Sequence, residues 1–170
     1  MALINPEEVI YDLPLEKDMS AADFGCGSGG WVIPLAQRLE NGVVYAIDIL
    51  EEPISALRGK LNRQGLANVK TIKQNIEDGV DIRDNRVDLV LMTNFLFQLD
   101  EKEKGFEEAR RILRGSGFVF VTEWLPDSPI GPHNLKLSPK EVKELAKNEN
   151  FILKEEYQLG AHQYGFLYQK

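Results

Sequence analysis

Cysteine, histidine, positive charge and long apolar runs are all scarce in this sequence. The one cysteine, Cys26, excludes an internal disulfide, and His133 and His162 stand too far apart to form a metal-ligand spacing, so no metal is expected. No apolar run approaches the roughly 20 residues needed to cross a bilayer, so no membrane span is expected. The opening MALINPEEVI has no basic stretch and carries two acids, which argues against a secretory signal and makes a cytoplasmic protein the expectation. Lys and Arg number 20 against 27 Asp and Glu, a net charge of -7, which opposes the phosphate attraction that nucleic-acid binders need. Repeats, low-complexity segments and linkers are also missing. The 170 residues therefore suit a single domain, 1–170, that carries every functional site on one scaffold.

Short apolar runs alternate with helical periodicity, the pattern of a parallel sheet covered by helices. Asn5-Pro6-Glu7-Glu8 supplies an N-cap, a first-turn proline and acidic residues, opening a short helix to about Leu13. Residues 19–24 form the first expected strand, and a glycine-rich stretch follows at once. Trp31, Leu35 and Leu39 then repeat at helical spacing, with Gly30 read as the first helical residue. Further strands are expected at 43–49, 69–73, 87–92 and 118–123. Between them lie a helix over 53–64 and one over 100–113 that stops at Arg114-Gly115 with glycine as a left-handed cap. Ser138-Pro139-Lys140-Glu141 matches a capping box and opens a helix to about Asn148, with Val142, Leu145 and Ala146 on its core face. The end breaks the alternation. Residues 151–159 and 162–168 are strand-like and leave no room for a crossover helix, so they must pair antiparallel.

The stretch AADFGCGSGGW, residues 21–31, contains two glycine fingerprints. Gly25, Gly27 and Gly30 spell the dinucleotide pattern G-x-G-x-x-G, whereas Gly25, Gly27 and Gly29 spell G-x-G-x-G behind Asp23. Glycines suit both, because the chain must turn sharply while a ligand approaches its backbone. A carboxylate just before the loop is unfavourable beside a pyrophosphate. It suits S-adenosylmethionine (SAM), which carries an ammonium and a sulfonium and no phosphate. Asp48, at the end of the second strand, can accept hydrogen bonds from both hydroxyls of a ribose, a role common to NAD(P) and SAM proteins.

With these residues in view, the sequence resembles the class I SAM-dependent methyltransferases, and in particular their ubiquinone/menaquinone-type small-molecule branch. ADFGCGSG is similar to the family's first motif, VYAIDI to its second, VDLVLMTNFLFQ to its fourth-strand segment, ILRGSGFVFVTEW to its glycine turn and fifth strand, and HQYGFLYQK to its last strand. The resemblance implies a three-layer α/β Rossmann-like fold with a seven-stranded, mostly parallel sheet in the order 3-2-1-4-5-7-6 and an antiparallel C-terminal hairpin. It implies methyl transfer from SAM, by in-line displacement, to a small or lipophilic acceptor, with S-adenosylhomocysteine (SAH) as product. Phe24, Gly25, Cys26, Gly27 and Gly29 would line the methionyl side, with Asp23 near its amino group. Asp48 would take the ribose and Ile49 the adenine face, while Asn75, Ile76 and Glu77 would border the adenine edge and Thr93 and Asn94 the transferred methyl. Asn75 stands where the family usually has aspartate.

His133, in the loop WLPDSPIGPHNLKL after the fifth strand, is the candidate base if the acceptor needs one; the alternative is a solvated loop side chain. Cys26 reads as a small loop filler, and Phe95, Phe97 and Trp124 as either a substrate wall or core. Only residues 1–18 precede the first expected strand, too few for a helical lid, so the acceptor site is either open or completed by a second subunit or partner. Two other functions stay open at this point: an NAD(P)-binding Rossmann oxidoreductase, and a SAM-binding protein or subunit without catalysis.

Overall fold

The computed structural model describes residues 4–170. Seven strands form one sheet: β1 (Ala21–Phe24), β2 (Val44–Asp48), β3 (Val69–Lys73), β4 (Val87–Thr93), β5 (Leu113–Trp124), β6 (Ile152–Leu159) and β7 (Gln163–Gln169). Their order is β3-β2-β1-β4-β5-β7-β6, parallel throughout except that β7 runs antiparallel to both β5 and β6. The expected strand order and C-terminal hairpin are therefore present.

Five helices cover the two faces: α1 (Pro6–Asp12), α2 (Val32–Arg38), α3 (Glu51–Gln64), α4 (Lys102–Ile112) and α5 (Pro139–Asn148). Because side chains alternate along a strand, the strands other than the edge strand β6 feed two cores. Ala21, Val44, Ala46 and Leu89 pack with Ile10 of α1, Leu35 of α2 and Leu57 of α3. Ala22, Phe24, Ile47 and Val90 pack with Phe106 and Ala109 of α4 and Val142 of α5. The central strands, buried on both faces, read as continuous apolar runs.

Helix starts follow local chemistry. The Asn5 side chain accepts the Glu7 N–H (3.1 Å), and Ser138 and Glu141 close the expected capping box. Two expected boundaries are corrected. Gly30 lies in a turn, and α2 begins at Val32 because Pro34 has no N–H to donate to the Gly30 carbonyl, so the regular ladder starts with the Leu35 N–H on the Trp31 carbonyl (3.0 Å). No left-handed cap forms at Arg114-Gly115. Leu113 is already extended, fully buried and paired with Val87, so burial of Leu113 carries the chain straight from α4 into β5. Among the described residues, no helix is long and apolar enough to cross a membrane.

Candidate functional site

The parallel strands β1, β2, β3 and β4 end on the same side of the sheet, and a cavity of about 480 Å³ opens there. Its size falls within the range of small-molecule sites, roughly 300–1,000 Å³. Gly25 and Gly27 line it from the loop after β1, and Asp48, Ile49, Leu50 and Pro53 from the turn into α3. Gln74, Asn75, Ile76 and Glu77 contribute from the turn after β3, and Phe95, Gln98, Leu99 and Asp100 from the turn after β4.

The glycine loop is tied to its surroundings on both flanks. The Gly25 and Cys26 N–H groups both donate to the Ile47 carbonyl (2.9 Å each), and the Gly27 N–H donates to Asp48 Oδ2 (2.9 Å). Lys60 of α3 donates to the Ser28 carbonyl (2.8 Å) and hydroxyl (3.0 Å). The three glycines of the fingerprint, all at positive φ, have different surroundings. A Cβ on Gly25 would overlap the Phe95 ring, and one on Gly29 would overlap Leu57, whereas one on Gly27 would meet only open space. Gly25 and Gly27 face the cavity; Gly29 is where α3 packs onto the loop.

The two aspartates have contrasting environments. Asp48 Oδ1 accepts the Leu50 N–H (3.0 Å) while Oδ2 accepts that of Gly27, so the carboxylate is half-buried and aimed by two backbone donors. Asp23 is 1% exposed, and neither of its oxygens has a hydrogen-bond partner among the described residues. Burial first, and the nearby Asp48 charge second, push its carboxyl up to about 8. Asp23 does not itself line the cavity, and its orphaned buried oxygens call for a hydrogen-bond donor.

The other expected site residues divide between the cavity and its supports. Ile49 lines the cavity and is exposed, as is Leu50. Asn75 caps the short turn Ile76–Asp78 by accepting the Glu77 N–H (3.2 Å), and Glu77 Oε1 accepts the Glu101 N–H (2.7 Å). Phe24 is fully buried and meets Phe95 edge to face, ring centroids 6.3 Å apart. Cys26 is also buried; burial and the two aspartates push its thiol pKa up, which leaves it protonated and a poor nucleophile. Thr93 and Asn94 end β4 outside the cavity lining, Asn94 at φ +51°. His133 does not line the cavity; it is exposed in the segment between β5 and α5. Among the described residues, no group of three or more His, Cys, Asp or Glu could hold a metal ion.

Sequence reasoning overlooked the wall formed by Gln74, Gln98, Leu99 and Asp100, for which no pattern gave a signal. It also overlooked Glu123, fully buried at the end of β5, whose Oε1 accepts the Leu96 N–H (2.8 Å). A glutamate within the largely apolar run FVFVTEW was the available signal.

Comparison with known proteins agrees with this geometry. Residues 21–117, more than half of the chain, match the family described as a methyltransferase domain. A SAM-dependent methyltransferase from Aquifex aeolicus superposes with a TM-score of 0.91 at 28% identity, over 98% of this chain and 90% of that one. The demethylmenaquinone methyltransferase of Geobacillus kaustophilus is 28% identical over 118 residues, 69% of this chain and 50% of its own. A Methanocaldococcus jannaschii protein named "Probable cobalt-precorrin-6B C(15)-methyltransferase (decarboxylating)" is 38% identical over 82 residues, 46% of this chain and 44% of its own. The chain thus spans about half the length of these curated relatives. The dinucleotide reading of the glycine loop yields to this family match, to the hairpin-terminated sheet and to the buried Asp23. Fold, glycine loop and family match converge: this chain belongs to the methyltransferase domain family and has the class I SAM-dependent methyltransferase fold.

Proposed function

We propose that this chain is a SAM-dependent methyltransferase acting on a small or lipophilic acceptor. The observation that carries the reading is Asp23: a carboxyl buried at the end of β1, with both oxygens unpartnered among the described residues, directly before a glycine loop. A pyrophosphate would worsen that burial, whereas the ammonium of a methionyl group would relieve it.

SAM, when bound, supplies an electrophilic methyl. The chain's own residues bind and orient. Gly25 and Gly27 leave the backbone open to close approach, and the two N–H groups on Asp48 fix its carboxylate while each oxygen keeps a lone pair for a ribose hydroxyl. Ile49, Leu50 and Pro53 offer an apolar face for the adenine. Because the Asn75 oxygen already serves as a cap, its amide N–H groups suit an adenine ring nitrogen better than the exocyclic amine. The names of the relatives, methyltransferases of demethylmenaquinone and of cobalt-precorrin, support a small organic acceptor.

One observation favours a second reading, donor binding without transfer by the isolated chain: the expected base, His133, does not line the cavity. Under that reading a second subunit or a partner completes the acceptor side. Calorimetric titration with SAM, SAH and NADH tests the main proposal, which fails if NADH binds and neither SAM nor SAH does. Transfer of labelled methyl from SAM to a panel of phenolic and amine acceptors separates catalysis from binding alone.

A further inference from the structure

The turn after β4 is tied locally at one carbonyl, Gln98 Nε2 donating to the Asn94 oxygen (2.8 Å), but its first N–H groups have no cap from their own neighbours. Asn94 takes a left-handed φ of +51°, and the 3-10 turn Leu96–Gln98 starts at Phe95 with no side-chain hydrogen bond from that residue. The rest of the turn's support comes from the adjoining strands. Glu123 on β5 places Oε1 at 2.8 Å from the Leu96 nitrogen and accepts its N–H. Gln163 on β7 donates from Nε2 to Asn94 Oδ1 (2.7 Å), and the Asn94 N–H donates to the Thr122 carbonyl (2.7 Å). The C-terminal hairpin thereby reaches the far side of the turn that walls the cavity.

That turn sets the shape of the site. It seats Phe95 where a Cβ on Gly25 would be, and it puts Gln98, Leu99 and Asp100 into the cavity wall. Glu123 itself does not line the cavity, and its Oε2 is buried without a partner among the described residues. Burying a carboxyl between apolar strands costs stability unless its hydrogen bonds do something an apolar residue cannot. Here they hold the backbone of a turn that would otherwise have one end unpaired.

We propose that Glu123 is a positioning residue of the methyl-donor site: acting through the Leu96 amide, with Gln163 as a second latch on Asn94, it fixes the β4 turn and keeps Phe95 seated against Gly25. This rests on the reading of the cavity as the SAM site. A merely structural glutamate would affect the melting temperature and leave the affinity of the folded protein alone. A positioning glutamate couples the two.

The test uses SAH binding by calorimetry together with hydrogen exchange at the Leu96 amide. Glu123→Ala should deprotect that amide and weaken SAH binding about tenfold, the loss expected when a buried N–H is left without its acceptor. Glu123→Gln keeps an oxygen acceptor and should restore both to within about threefold of wild type. If Glu123→Ala does not fold, Gln163→Met carries the test and should raise the SAH Kd by about threefold while speeding exchange at Leu96. A folded Glu123→Ala or Gln163→Met protein that binds SAH like wild type overturns the positioning role. Wild-type protein that fails to bind SAH overturns the donor-site reading on which it rests.

Discussion

Asp23 and Asp48 stand at the ends of neighbouring strands, and their surroundings assign them different work. Asp48 has two backbone donors and a half-open position, so its oxygens are aimed to accept further hydrogen bonds. Asp48→Ala should weaken SAM binding by about 1.5–3 kcal/mol, because it removes the ribose acceptor and frees the Gly27 and Leu50 amides. Calorimetry reads this directly, and unchanged affinity would take Asp48 out of the site. Asp23 has no donor, and burial holds its carboxyl near 8, so it is largely protonated at neutral pH. A cation placed beside it favours the ionised form, and binding should then release its proton. SAM affinity is therefore expected to rise with pH up to about 8, and Asp23→Asn should flatten that rise. Equal slopes in wild type and variant would refute the contact.

Elements are joined by side chains reaching out of helices to loop backbones. Glu108 of α4 accepts the Val80 N–H (2.7 Å) and pairs with Arg111 (2.6 and 2.8 Å). Arg111 in turn donates to the Ile82 (2.8 Å) and Val80 (2.9 Å) carbonyls and to Asp84 (2.7 Å). The two residues thus hold the connection between β3 and β4 against the helix. Glu108→Ala leaves the buried Val80 N–H without its acceptor and takes from Arg111 one of its two carboxylate partners, and should cost about 2 kcal/mol in urea unfolding. A loss below about 0.5 kcal/mol would show the connection to be held by its apolar contacts alone. The outer edge of the sheet is managed differently. β6 is mostly exposed, its pairing with β7 is irregular between Leu153 and Glu155, and Lys154, Glu155 and Glu156 place charge along it. Bulges and charges of this kind oppose edge-to-edge pairing, here despite the exposed Ile152 and Leu153.

For the whole molecule, the buried carboxyls of Asp23 and Glu123 tie stability to pH. Burial raises both to about 8, the N–H groups of Leu96, Phe97 and Phe95 drawing Glu123 partly back. From the ordinary carboxylate range up to about pH 8, the native state keeps protons that the unfolded chain has released, so raising the pH across that window favours unfolding. The ligand-free protein should accordingly show a Tm that falls from pH 5 to about 8, with a shallower fall in Asp23→Asn. A Tm that rises over the same range would contradict the buried, protonated state. The sequence by itself determined the succession of strands and helices, the glycine turn and the terminal hairpin, because periodicity, capping and positive-φ positions act over a few residues; the strand order followed only from the resemblance to the methyltransferases. Asp23 and Asp48 were legible for the same reason, each closing an apolar run. Tertiary structure alone decided that Gly29 meets Leu57, that Phe95 rests on Gly25, that Glu123 caps the β4 turn and that His133 stays outside the cavity. Those outcomes depend on partners brought together across the sheet from distant parts of the chain, where no local pattern of residues specifies the match.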